Sequence, residues 1–211
     1  MDFNTIVLFF QNGGLFMYPI VLIMAFGIAI ALERYLYLSS VNSNNQKAWT
    51  AIMGALSQGD YDKAAQITEQ SQATIGKILA YGLNRSDSAA QRDEIETAME
   101  EGLMEVMPQL EKRTHYLATF ANLATLLGLL GTIIGLIQGF TAVATASPAD
   151  KADLLSASIS VAMNTTAFGL MVAIPLLLVH ALLQTKTTEM VDSLEMSAVK
   201  FLNLICKREH A

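Results

Sequence analysis

Residues 114–149 read THYLATFANLATLLGLLGTIIGLIQGFTAVATASPA. These 36 consecutive residues contain no Asp, Glu, Lys or Arg. About 20 apolar residues in a helix span the hydrocarbon core of a bilayer. Two further runs share the property, 3–32 with 30 residues and 154–185 with 32. The chain has 211 residues and 32 charged side chains, and all 32 fall in the 113 residues outside these runs. That is about 28% of those residues, an ordinary soluble density. Two different materials therefore alternate along one chain. The pattern excludes a plain soluble enzyme, a secreted disulfide scaffold and a disordered chain. It leaves an all-α polytopic membrane protein with three transmembrane helices.

Net charge and cation placement bound the rest. The formal charge is −6 and no basic stripe is visible, which argues against a nucleic-acid partner. The single cysteine, Cys206, cannot form an intrachain disulfide and reads as a bystander. The opening Met1-Asp2-Phe3 lacks the positive start of a cleaved signal peptide, so the first run reads as a retained span. Eight cations lie between the first two runs, from Arg34 to Arg113, and four lie after the third: Lys186, Lys200, Lys207 and Arg208. Only Lys151 falls between the second and third. Three spans put twelve of the 13 cations on one side, and the positive-inside rule makes that side cytoplasmic. The expected layout is N-out/C-in and multi-pass.

The domain reading follows the same alternation. Residues 1–14 are expected as an outer interfacial helix ended at Asn12-Gly13-Gly14. Transmembrane helices are expected at 15–38, 114–144 and 154–184, with a periplasmic loop at 145–153. Residues 39–113 read as a cytoplasmic helical domain, beginning with a linker at 39–47 (SSVNSNNQK). Helical patterns follow at about 49–57, 61–70 and 73–83, without strand-like alternation. From 88 onward Ile95, Met99, Leu103, Val106, Leu110 and Leu117 form one apolar face, opposite Asp93, Glu94, Glu96, Glu100, Glu101 and Glu105. A helix unbroken from 88 to 143 would measure about 84 Å, of which a bilayer core holds only about 30 Å. The pattern reads as one helix leading straight into the second span, kinked but not ended at Pro108, so that long helices extend into the cytoplasm; two helices broken at Pro108 is the alternative. The tail 185–211 reads as an amphipathic C-terminal helix carrying Met190, Leu194, Met196, Phe201 and Leu204.

Two spans carry polar or small-residue stripes. Gly128, Gly131, Gly135 and Gly139 suit close packing between helix backbones, which replaces the weak hydrophobic drive between helices in lipid. Thr125, Gly128, Thr132 and Gly135 mix small and hydroxylated residues. In the third run Ser156, Ser160 and Asn164 recur every four residues, with Thr165 and Thr166 beside them. An asparagine in a membrane helix needs a partner or water, whereas Ser and Thr can bond back to their own helix. Together these residues describe either a narrow polar passage or a polar helix–helix seam. No Asp, Glu, Lys or Arg lies inside a span, although intramembrane proton relays normally use such groups. His180 reads as an interfacial imidazole. If the chain moves protons, the carboxylate must come from another subunit. No metal-ligand cluster, phosphate loop, catalytic triad or dinucleotide fingerprint occurs, so neither an enzyme nor a cofactor is expected.

These same residues carry a resemblance. Leu123 to Gly135 (LATLLGLLGTIIG), followed by Gln138-Gly139-Phe140, resembles the second-span signature of the MotA/TolQ/ExbB proton-channel family. Ser158 to Pro175 (SISVAMNTTAFGLMVAIP) resembles its third-span signature, and Glu33-Arg34 resembles its Glu-Arg pair. The three-span layout is similar to the ExbB/TolQ branch. The resemblance implies a homopentamer around a pore holding two copies of a single-span ExbD/TolR-like partner, each supplying a membrane aspartate. It implies an energy-coupling motor in a bacterial inner membrane that turns ion-motive force into mechanical work on a periplasmic or outer-membrane partner. Thr132 and Thr166 match the family's pore-lining threonines. Thr125 stands where the family commonly has proline, and Val161 where ExbB and TolQ have glutamate. Asn164-Thr165-Thr166 is richer in hydroxyls than the ExbB/TolQ pattern. Hard cations favour oxygen ligands, so Na⁺ held transiently at Thr132, Thr165 and Thr166 stands beside H⁺ as the ion. A structural scaffold without ion conduction is the alternative.

Overall fold

The computed structural model describes residues 13–86 and 91–209, so most of the interfacial helix expected at 1–14 lies outside them. Among the described residues there are six helices and no strand. They are α1 (Met17–Ser57), α2 (Tyr61–Gln70), α3 (Thr74–Ser86), α4 (Arg92–Glu111), α5 (Thr114–Thr145) and α6 (Lys151–Glu209). The chain forms two compact units. An apolar unit holds Met1–Glu33 and Arg113–Leu182, and a polar unit holds Arg34–Lys112 and Leu183–Ala211.

Three stretches, within α1, within α4–α5 and within α6, are long and apolar enough to cross a membrane. In their most apolar windows only 17%, 28% and 33% of the residues are buried. Most of that apolar surface therefore faces outward, where water would be costly and lipid or other helices must cover it. Phe26, Leu126, Ile137, Phe140 and Leu178 are among the large side chains so exposed. This is a multi-pass membrane protein.

In the polar unit the apolar residues follow helical spacing. α4 buries Ile95, Met99, Gly102, Val106 and Leu110, and α3 meets it with Ile75, Ile78 and Leu79. The second half of α6 buries Leu183, Met190, Leu194, Phe201, Leu202 and Ile205. The α1–α2 turn is a Schellman cap: Asp60 N–H reaches Ala55 O and Gly59 N–H reaches Leu56 O, each at 3.1 Å. Gly59 takes the required left-handed conformation, φ 77°. Asp60 then N-caps α2 by accepting from Lys63 N–H at 3.0 Å.

Three local expectations are corrected. The stretch 39–47 is not a linker but the middle of α1. Leu38, Asn45, Ile52 and Ala55 lie on its buried side, and the polar residues between them face outward. Asn45 has a further role, since its Oδ1 accepts the Ile75 N–H at 3.1 Å and satisfies a free donor at the start of α3. The helix expected to run unbroken from 88 into the second span is interrupted at Lys112-Arg113, and the break is not at Pro108. Pro108 sits inside α4, and Arg113 adopts a left-handed φ of 67°. Arg34, buried in the polar unit, donates to Leu110 O and so satisfies one of the carbonyls left open at the end of α4. Its guanidinium also lies 4.8 Å over the Tyr37 ring. In the tail, Met196 and Leu204 are exposed, and Leu202 and Ile205 take the buried positions instead.

Candidate functional site

The glycines of α5 meet small residues of α6 in antiparallel order. Gly128 lies against Thr166 and Gly169, Gly131 against Thr165, Gly135 against Ala162, and Gly139 against Ser158. A Cβ on Gly128 would stand 3.2 Å from Thr166 Cα, and one on Gly169 would stand 2.6 Å from Ala124 O. At these two positions backbone touches backbone, and any side chain would force the helices apart. The small residues of α6 recur at Ser158, Ala162, Thr165 and Gly169. That helical spacing is visible in the sequence but is masked by the more polar stripe Ser156-Ser160-Asn164.

At the centre of the seam the hydroxyls of Thr132 and Thr166 hydrogen-bond to one another. Thr166 also donates to Gly128 O at 2.8 Å. Thr132 lies 3.2 Å from Gly128 O and 3.5 Å from Ala162 O. Two hydroxyls and two carbonyls thus converge. Each hydroxyl has one proton and two acceptor lone pairs, so the cluster keeps acceptor capacity after its internal bonds are made. It offers oxygen to water, a proton carrier or a hard cation, and it holds no titrating group of its own. No cluster of His, Cys, Asp and Glu able to hold a metal occurs among the described residues.

The remaining candidates sit elsewhere. Thr165 is buried, and its Oγ1 lies 2.5 Å from Gly13 O and 3.0 Å from Val161 O, apart from the threonine pair. Asn164 is half-buried and Ser160 exposed. Thr125 bonds back to Ala121 O at 3.1 Å inside an unbroken helix. Sequence reasoning missed Ala162, Gly169, Gly13 and Phe16. The last two precede α1 and come to the seam only through tertiary packing.

The fold and site define a polytopic helical membrane protein whose second and third spans close on a glycine seam with a threonine pair at its centre. The family described as the MotA/TolQ/ExbB proton channel family matches residues 70–196. An ExbB homolog of Methanothermobacter thermautotrophicus is 30% identical over 196 residues, covering 92% of this chain and 68% of that protein. An ExbB-like protein of Synechocystis is 30% identical over 186 residues, covering 87% and 72%. The biopolymer transport protein exbB1 of Vibrio cholerae is 29% identical over 167 residues, covering 78% and 73%. The chain belongs to the MotA/TolQ/ExbB proton channel family. The matched residues include both sides of the seam, from Gly128 to Gly169.

Proposed function

We propose that this chain is the ion-conducting subunit of an inner-membrane energy-coupling motor, carrying H⁺ or Na⁺. It works as a homopentamer, N-terminus out, around two copies of a single-span ExbD/TolR-like partner. The observation that carries the reading is the Thr132–Thr166 hydroxyl pair, joined across two spans in a unit without membrane carboxylates. The pair supplies oxygen along a path, and the partner's aspartate supplies the titrating group. Relatives named for biopolymer transport support a load in the cell envelope. The reading assigns no chemical reaction to the chain.

Thr132→Val and Thr166→Val keep shape and remove the hydroxyl. Each is expected to abolish ion-driven coupling while the complex still copurifies with its partner. Unchanged coupling in both variants would sink the reading. Growth or transport driven by an imposed ΔpNa, against an imposed ΔpH, identifies the ion. A scaffold without conduction is the second reading, favoured by the internal bonds that already use both hydroxyl protons, Thr132 to Thr166 and Thr166 to Gly128 O. On that reading both valine variants stay active, and only Gly131→Leu breaks the assembly.

A further inference from the structure

Thr165 and Thr166 are neighbours in sequence, but their hydroxyls bond to different partners. Thr166 joins Thr132 and Gly128. Thr165 is 2% exposed, and its Oγ1 lies 2.5 Å from the carbonyl oxygen of Gly13 and 3.0 Å from that of Val161. A hydroxyl has one proton to donate, and Gly13 O is the nearer acceptor. Val161 O is the ordinary back-bond within a helix. The Gly13 bond is different, because it crosses to a turn 152 residues away in sequence.

That turn, 13–16, is held at several points. Gly14 has a left-handed φ of 73°, and a Cβ there would stand 3.2 Å from Val161 Cγ1. A Cβ on Gly131 would stand 3.3 Å from Phe16 Cβ and 3.0 Å from Thr165 Cβ. Phe16 from the turn, Gly131 from α5 and Thr165 from α6 therefore meet at one place. Gly131 is adjacent in sequence to Thr132, and Thr165 to Thr166. Behind the turn, Met17 and Ile20 are fully buried at the start of α1.

We propose that Thr165 is a positioning residue and not an ion ligand: it clamps the turn 13–16 onto the α5–α6 seam and so holds the Thr132–Thr166 pair together. Its proton is committed to Gly13 O, and its burial leaves an ion no approach while the turn is seated. Only the functional half of this inference rests on the ion-path reading. The clamp itself can be tested without coupling.

The test uses the full chain with its partner in native membranes, in a Cys206→Ser background with Phe16→Cys as the reporter. The probe is N-ethylmaleimide, and the readout is the rate of thiol labelling. Thr165→Val should raise labelling about tenfold, the order expected for loss of one buried hydrogen bond. Thr165→Ser, which keeps the donor, should restore the slow rate. Thr165→Ala gives the same comparison should the valine variant fail to accumulate. Equal labelling in the parent and both donor-less variants overturns the clamp, as does a serine variant that labels as fast as valine. With Phe16 restored, Thr165→Val should lower maximal coupling and leave the half-saturating ion concentration unchanged. A shifted half-saturation with unchanged labelling makes Thr165 a ligand and overturns the proposal. Thr132→Val should label slowly although coupling is lost. If Thr132→Val and Thr166→Val both stay coupled, the ion path fails, while the labelling still decides the clamp.

Discussion

The two units of this protein hold themselves together in opposite ways. The polar unit packs large side chains: Ile78, Leu79, Ile95, Leu110 and Phe201 are all essentially fully buried, and its turns are closed by caps such as Gly59 and Asp60. The apolar unit keeps many of its large side chains outside. At its centre are Gly128, Gly131, Gly135, Gly139, Ala162 and Gly169, joined by threonine hydroxyls bonded to carbonyls. Water drives the first arrangement, since apolar area removed from it is stabilising by about 25 cal/mol per Å². Lipid is as apolar as leucine, so the second depends on close backbone approach and on hydrogen bonds that have no solvent competitor.

That contrast can be broken by opposite substitutions, one removing atoms and one adding them. Phe201→Ala empties a fully buried site in the polar unit and should cost about 3–5 kcal/mol, read from denaturant unfolding in detergent followed by circular dichroism. Gly169→Ala adds one methyl group against Ala124 O and Gly128 Cα, with backbone on both sides. Overpacking of this kind should cost about 1–3 kcal/mol. Retention of wild-type stability by the alanine variant would show that the seam is looser than its geometry implies.

Smaller effects sharpen the comparison within the polar unit. Asn45→Ala leaves the Ile75 N–H at the start of α3 without its acceptor, and the loss should be about 0.5–2 kcal/mol. The smallest effect is a pH dependence. The Tyr81 hydroxyl donates to Glu105, and that hydrogen bond, with the carboxylate charge beside it, holds the phenol above its ordinary value of 10.0. A folded-state value above the unfolded one stabilises the fold below the unfolded value, and the contribution is lost as pH rises through the folded value. Tyr81→Phe should therefore be slightly less stable than the parent at neutral pH, with the difference shrinking above pH 10.0. A difference in denaturation midpoint that stays constant across that range would remove the hydrogen bond as its cause.

Legibility in the sequence tracked these two modes. The spans were readable because the absence of charge over 98 residues is a one-dimensional signal that needs no partner. The buried face of α4 was readable because Ile95, Met99, Val106 and Leu110 repeat at helical spacing. Residues 39–47 misled because one buried asparagine and few apolar residues hold that part of α1, and composition alone resembles a linker. The tail misled by phase: Leu202 and Ile205 are buried, and Met196 and Leu204 are exposed. In the candidate site, the stripes held Thr132 and Thr166, whose hydroxyls meet at the seam, and also Ser160 and Asn164, which belong to a different face of α6. Small and polar residues recur on several faces of a membrane helix, so spacing does not reveal which face meets a neighbour.

The sequence by itself determined that the chain alternates membrane and soluble material, that its spans are helices, and that no carboxylate lies within them. Those properties follow from the cost of placing charge or open backbone groups in lipid, which each segment bears alone. Tertiary structure decided that Gly128 faces Thr166 and Gly169, that the threonine hydroxyls meet, and that Thr165 turns to Gly13 instead. Those outcomes depend on the register of two helices sliding past one another, and a shift of one residue would give every hydroxyl a different partner.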